Sequence, residues 1–425
     1  MTTVNPVHDP VALSGAGTAK ARGLGVFYIA MAAFTWLVFG QADEGDATLR
    51  LTDPGDAFHD SFPDLVFDPS TFGYLVAVIL AITGGIQLTR GFDRWQTAVL
   101  AATSVLFIVS FLGWAAAGAS FSLVGMLQAS MVRAVPIALG ALAGVLCERA
   151  AIVNIAIEGM LLSGAFAAAI VGSVANSALG VLAAVLVGGL MSALLAVLSI
   201  KYRVDQIIVG VVLNLFALGL TSFLTARLLA SNPEYNAAGI FQSIEIPLLS
   251  DVPVVGRVLF DQNLFVYAML ILTVFVTWLL FRTRWGLRVR AVGEHPRAAD
   301  TLGVDVYRMQ YRSVILGGMI AGLGGAYFIF GSTGRFDENM TNGRGYIALA
   351  AMVFGRWHPV GALGAALLFG FADALQQKLG LLNTGIPTEF LLMAPFLVTI
   401  MVVAGFAGGT NAPAHDGVAY VKEGQ

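Results

Sequence analysis

The chain has 425 residues, 57% of them hydrophobic and only 12% charged, with a mean hydropathy of +0.81. Soluble domains carry about 25% charged residues, so a set of soluble domains is excluded and a chain of membrane spans is indicated. The net charge of −3 offers no nucleic-acid surface, and the one Cys, Cys147, excludes an intrachain disulfide or a multi-Cys metal site.

Residues 1–22 are polar, with Lys20 and Arg22 ahead of an apolar run from Gly23 to Gly40. That run is longer than a signal-peptide core and no small-residue cleavage site follows, which predicts an uncleaved first span with its N-terminus inside. Residues 41–70 hold eight acids, one Arg and three Pro, and are expected to form an irregular outside loop. Spans are predicted at Phe72–Leu88 and Thr97–Ala117, with Arg90 and Arg94 between them. From Ser120 the character changes. Val135–Leu146 is a short apolar segment, followed by Cys147-Glu148-Arg149 and a long run from Ala150. Further spans are predicted at Leu179–Ile200, Ile207–Leu228, Leu264–Phe281 and Ser313–Phe330, the last dense in Gly, as close helix packing in lipid requires. Tyr346–Phe354 is too short to cross a bilayer core, which takes about 20 helical residues, and reads as a half-helix or re-entrant segment. Val360–Ala374 and Pro387–Phe406 complete the set, ahead of a polar tail. The fold class expected is all-α, a polytopic membrane protein with about 10–12 spanning or half-spanning helices and both termini inside. The expected division is an N-terminal extension over 1–119, a transmembrane domain over 120–410, and a cytoplasmic tail over 411–425.

Few polar residues interrupt the spans. Asn154 and Glu158 are four apart, so on a helix they share a face. A carboxylate in an apolar stretch is a functional hypothesis by default. The structural alternative is a Glu158–Arg149 pair. Asn214 is a lone amide in its span, placed either for solute or for bonding a neighbouring helix. The stretch Arg282–Arg312 carries seven Arg against three acids between two spans, so it is expected to be cytoplasmic. Within it, Pro296 suits a first helical residue, Arg297–Leu302 a short helix, and Gly303 its stop. Such a helix suits docking of a soluble partner; the alternative is a solvated loop whose Arg only fix topology.

The four Lys (20, 201, 378 and 422) never follow a Gly, so there is no P-loop. The five His form no zinc motif, and no span holds a catalytic constellation. A transport chain without a nucleotide site implies energy from another subunit; an ion-coupled secondary carrier is the other class, and a membrane enzyme a third.

Four segments carry a family resemblance. Leu146–Gly164, with CERAAIVNIAIEGMLLSG within it, closely resembles S-E-R-x-G-V-V-N-I-G-x-E-G of ABC-transporter permeases of the simple-sugar and nucleoside branch. Val204–Asn214, VDQIIVGVVLN, resembles that branch's helix entry ending in Asn. Gly293–Val304, GEHPRAADTLGV, resembles its coupling loop, G-E-N-P-x-A-A-x-x-x-G-I. Gly345–Leu363, GYIALAAMVFGRWHPVGAL, is similar to its G-Y-x-x-I-A-V-A-L-L-G-x-x-x-P-x-G motif. Ala151 stands where the pattern has Gly and His295 where it has Asn. The first three spans lie outside the pattern.

The resemblance implies a permease of the bacterial plasma membrane. It would pair with a second permease subunit and two ABC ATPase subunits that bind the ATP-Mg, and would be fed by an extracytoplasmic substrate-binding lipoprotein. No cofactor, metal or catalytic residue is expected on this chain. The NIAIEG form looks more like nucleoside permeases, with a simple sugar or other small polar solute as the alternative. Asn154, Glu158 and Asn214 are then expected on the substrate path. Gly293, Glu294, His295, Pro296, Arg297, Ala298, Ala299 and Gly303 are expected to couple the chain to the ATPase.

Overall fold

A computed structural model describes residues 10–42, 45–52, 63–381 and 412–422. Among them, ten helices are long and apolar enough to cross a membrane. The chain divides into two compact units, Met1–Val124 with Leu379–Gly385 and Gly125–Lys378 with Ile386–Gln425.

The first unit holds three long helices: α1 (Pro10–Val38), α2 (Pro69–Thr89) and α3 (Gln96–Ala115). Asp68 starts α2, its carboxylate accepting from the Ser70 and Thr71 N–H groups. Tyr28 and Ala32 of α1 pack on Val76 and Leu80 of α2. The acidic loop is not wholly irregular. Strand β1 (Ala47–Arg50) pairs antiparallel with β2 (Leu65–Phe67) and parallel with β3 (Ser120–Ser122).

The second unit begins within α4 (Leu123–Glu148) and continues through α5 (Ile157–Val174), α6 (Ser177–Ala196) and α7 (Gln206–Leu224). A polar connection follows, holding a 3-10 turn (Pro233–Asn236), strands β4 (Ile244–Glu245) and β5 (Asp261–Gln262) and the short helix α8 (Val255–Phe260). Next come α9 (Leu264–Arg282), α10 (Arg284–Glu294), α11 (Pro296–Thr301), α12 (Val306–Phe328), the short α13 (Arg344–Phe354) and α14 (Pro359–Leu381). The segment Val135–Leu146 is not a half-span but the second half of the 26-residue α4. Gln128 and Arg133 interrupt its apolar pattern, and Pro136 lies inside it. Tyr346–Phe354 is the expected half-length helix. The predicted span Pro387–Phe406 lies outside the described residues.

Helices α6 and α12 meet at a glycine seam. A methyl on Gly188 would sit 2.3 Å from the Gly318 carbonyl oxygen, and one on Gly322 2.2 Å from that of Ala184. Only backbones without side chains pack this closely, and dispersion between them replaces the hydrophobic drive that lipid removes. The outer faces of α6, α7 and α9 are apolar and exposed, as at Leu186, Leu215 and Val274. That is the pattern of helices turned towards lipid.

Candidate functional site

The chain between α4 and α5 is not helical, so Asn154 lies ahead of α5 and shares no helical face with Glu158. Asn154 is fully buried. Its amide donates to Cys147 Sγ (3.4 Å) and Met160 Sδ (3.7 Å), and its oxygen accepts from the Ala156 N–H (3.1 Å). The side chain thereby ties the broken segment to both flanking helices.

Glu158 sits in the first turn of α5 and does not pair with Arg149. It reaches the start of α13. Its Oε1 accepts from Thr341 Oγ1 (2.6 Å) and the Gly343 N–H (2.8 Å), and its Oε2 from the Gly345 N–H (2.6 Å). An anion at a helix N-terminus meets unpaired N–H groups and the positive end of the helix dipole. A methyl on Gly345 would lie 2.5 Å from Glu158 Cα, so glycine is required for the two helix starts to touch. Asn214 of α7 closes the same joint. Its oxygen accepts from the Gly159 N–H (2.7 Å), and its amide donates to the Ile155 carbonyl (2.9 Å) and Tyr346 OH (3.1 Å). The structure therefore brings Glu158 and Asn214 into one joint of α5, α7 and α13, while Asn154 braces the adjoining link between α4 and α5.

The far end of α13 is held as firmly. Arg356 and Trp357 both have positive φ (55° and 52°), a left-handed turn that L-residues adopt at a cost of about 1–2 kcal/mol each. Arg149 donates to the Trp357 carbonyl (2.9 Å) and the Arg356 carbonyl (3.4 Å), and the Trp357 indole donates to buried Glu148 Oε2 (2.5 Å). α13 is thus gripped by an anion at its start and a cation beyond its end, the arrangement its dipole favours.

Arg149 also touches the Arg-rich stretch between α9 and α12. A methyl on Gly293 would sit 2.4 Å from the Arg149 carbonyl oxygen. The stretch is two helices. α10 buries Gly286, Val289, Val292 and Gly293, and α11 buries Pro296 and Ala299. His295 caps α11, its Nδ1 accepting from the Ala298 N–H (3.3 Å), so an imidazole does the work of Asn at that cap. Gly303, at φ +79°, ends the helix as expected. Glu294, His295, Arg297, Ala298 and Leu302 are exposed, Leu302 by 84%.

The tail packs on these helices. The His415 N–H donates to the Gly293 carbonyl (3.0 Å), the Ala414 N–H to Glu294 Oε2 (3.2 Å), and Lys422 pairs with Asp300 (3.6 Å). Tyr420 is buried, with its ring 5.3 Å from that of Tyr307. Burial pushes Asp416 up to about 6, against the opposing effect of hydrogen bonds to Glu148 and Gly417. Burial, with the His295 and Arg297 charges, holds His415 below the usual imidazole value.

A cavity of 690 Å³ opens between α4, the β5–α9 turn, the end of α12 and the start of α13. Arg133 of α4 and Arg344 of α13 line it, and both reach the same oxygen of Asp373 on α14, at 2.9 and 3.3 Å. Arg133 also donates to Gln377.

Three relatives and one family model decide the class. The model described as a branched-chain amino acid transport system / permease component matches residues 126–404. The guanosine ABC transporter permease protein NupQ of Bacillus subtilis is 40% identical over 307 residues, 70% of this chain and 96% of its own. The nucleoside ABC transporter permease protein NupC of Lactococcus lactis is 38% identical, over 69% of this chain and 95% of its own. The putative glucose ABC transporter permease protein TsgC13 of Haloferax volcanii is 34% identical, over 66% and 91%. This chain belongs to the ABC-transporter permease family. It is a multi-pass membrane protein and a transport subunit without catalysis of its own. No solved structure matches it.

In this permease, the residues that matched the family pattern are mainly joints. Sequence reasoning singled out none of Arg133, Arg344 or Asp373. A charge count along the spans marks Arg133 and Asp373 as costly in lipid, and that signal was available.

Proposed function

We propose that this chain is a membrane-spanning subunit of an ATP-driven importer for nucleosides. The observation that carries the reading is the near full-length match to two permeases named for guanosine and nucleoside. The same similarity extends to a putative glucose permease, which keeps a sugar as the second reading. In the leading reading, the ATPase subunits, a second permease and an extracytoplasmic binding lipoprotein supply energy and solute, and ATP-Mg is bound on the ATPase chains. The chain then lies in the bacterial plasma membrane with α10 and α11 in the cytoplasm.

Gly293, Glu294, His295, Pro296, Arg297, Ala298, Ala299 and Gly303 form the coupling surface in this reading. Pro296 and Ala299 seat the helix, while Arg297, Ala298 and Leu302 face a partner. Glu158 and Asn214 serve the substrate path as the joint that fixes its wall, with Asn154 bracing the adjoining link.

The test is purification of the complex from its native membrane, identification of copurifying chains, and assay of ATPase stimulation. Copurification with a P-loop ATPase and stimulation by guanosine support the proposal. Stimulation by glucose and not by guanosine transfers it to the sugar reading. Uptake that follows an ion gradient, with no ATPase partner, overturns both.

A further inference from the structure

The 690 Å³ cavity falls within the about 300–1,000 Å³ range of small-molecule sites. Its wall is unusual for a membrane span. Four amide side chains line it (Gln128, Gln262, Asn263 and Gln377), together with the hydroxyls of Ser243, Ser332 and Thr333. Tyr327 and Phe328 supply aromatic wall, with the Arg344 guanidinium 5.8 Å above the Phe328 ring.

The charges nearly cancel. Arg133 and Arg344 face Asp261 and Asp337 in the lining and Asp373 behind it; Asp337 is itself paired with Arg335 (3.5 Å), so three cations meet three carboxylates. The Arg133 and Arg344 guanidinium groups are already bound to Asp373, so neither is left as an unmatched anion receptor. A wall rich in amides and hydroxyls with no net charge suits a neutral solute bearing hydroxyls and ring heteroatoms. It offers a phosphate no unpaired cation, so the charge of a phosphorylated solute would go unmatched there.

We infer that this cavity is a resting site for an uncharged nucleoside within the permease, its polar groups met by Gln128, Gln377 and the Arg133–Asp373–Arg344 cluster, and that the phosphorylated nucleoside is refused there. The inference rests on the nucleoside reading above and adds the place of binding and the discrimination against charge. Arg344 gives the site a link to the rest of the chain, because it is the first residue of α13.

The native Cys147 is fully buried, so a thiol introduced at Ala129, in the cavity wall, can be labelled selectively. The experiment uses Ala129→Cys in the full transporter in vesicles, with guanosine, guanosine monophosphate and glucose as probes. Guanosine is expected to slow labelling, while the monophosphate and glucose leave the rate unchanged. Ala129→Trp, which obstructs part of the cavity, is expected to reduce guanosine uptake while the subunits still copurify. Guanosine accumulation by Ala129→Cys vesicles without any protection of the thiol overturns the cavity and leaves the nucleoside transporter standing. Accumulation of glucose alone overturns the nucleoside reading itself. Equal protection by the monophosphate overturns the charge discrimination.

Discussion

Replacing Glu158 by Gln isolates what its charge does at the start of α13. Three donors converge on its two oxygens: Thr341 Oγ1 and the Gly343 N–H on one, the Gly345 N–H on the other. An amide has only one oxygen. Whichever way it turns, at least one N–H faces another donor. Losing one charge-assisted bond costs about 1.5–3 kcal/mol, and stranding a buried donor about 1–3 kcal/mol. The remaining bonds weaken towards neutral strength. The expected total is about 3–5 kcal/mol, a large share of a typical about 5–15 kcal/mol. Thr341→Ala removes one hydroxyl donor and leaves the carboxylate on two N–H groups, so about 1 kcal/mol is expected. The assay is thermal unfolding of the purified permease, with hydrogen exchange read over residues 341–347. Glu158→Gln should lower the midpoint well beyond Thr341→Ala, and exchange should rise first in this turn. A Glu158→Gln protein with unchanged midpoint and exchange but lost uptake would refute the joint argument and make the carboxylate a solute contact instead.

Ala151 holds φ +66° while fully buried, where the family pattern has Gly. Ala151→Gly should therefore raise stability by about 0.5–1 kcal/mol, the left-handed strain relieved less the entropy glycine adds to the unfolded chain, as a shifted melting midpoint would show. Trp357→Phe removes the donor to Glu148 Oε2 in a strained turn, and should cost about 2–3 kcal/mol in the same assay. Asp416 rises from 3.8 in the free chain to about 6 in the docked tail, so protonation favours docking. That contribution is complete below about pH 4 and is lost as pH rises through about 6; at 1.36 kcal/mol per unit it is about 3 kcal/mol at most. Exchange protection of residues 412–422 should fall across that window, and Asp416→Asn should flatten the dependence.

The spans were legible because lipid imposes one requirement on each of them, an apolar run of sufficient length. The half-length of α13 was legible for the same reason, since a nine-residue run between Gly345 and Gly355 cannot satisfy it. The full length of α4 was not legible because Gln128, Arg133 and Pro136 break its apolar pattern, and Gln128 and Arg133 find their partners far along the chain. Arg133 meets Asp373, 240 positions later. No local period encodes such a partner. α11 was readable from local turn chemistry, because Pro296 starts it and Gly303 ends it. α10 was not foreseen, since its buried stripe of Gly286, Val289, Val292 and Gly293 is thin among five Arg between positions 282 and 297. The bond partners of Asn154 and Glu158 were unreadable for a different reason. Asn154 precedes its helix, so helical spacing misassigned its neighbours, and Glu158 answers to the start of a helix 185 residues away.

α13 joins the two halves of this picture. At about 1.5 Å per residue its 11 residues span about 16 Å. One end begins with Arg344 in the cavity wall, and the other runs into Trp357, which Glu148 and Arg149 hold. Arg149 in turn lies against Gly293 with no room for a methyl between them. A displacement of α10 and α11 therefore cannot be absorbed as side-chain slack at Gly293, because backbone meets backbone there. The shift passes to Arg149 and, through its hydrogen bonds, to the carbonyl end of α13. At the opposite end Glu158 resists by holding three donors. A half-helix fixed by charge at both ends moves as a rod or breaks one of its grips. Movement as a rod alters the position of Arg344 relative to Asp373, and with it the cavity wall. A full-length span anchored along its whole face by packing would not transmit the same push, which gives a physical reason for the helix to be short.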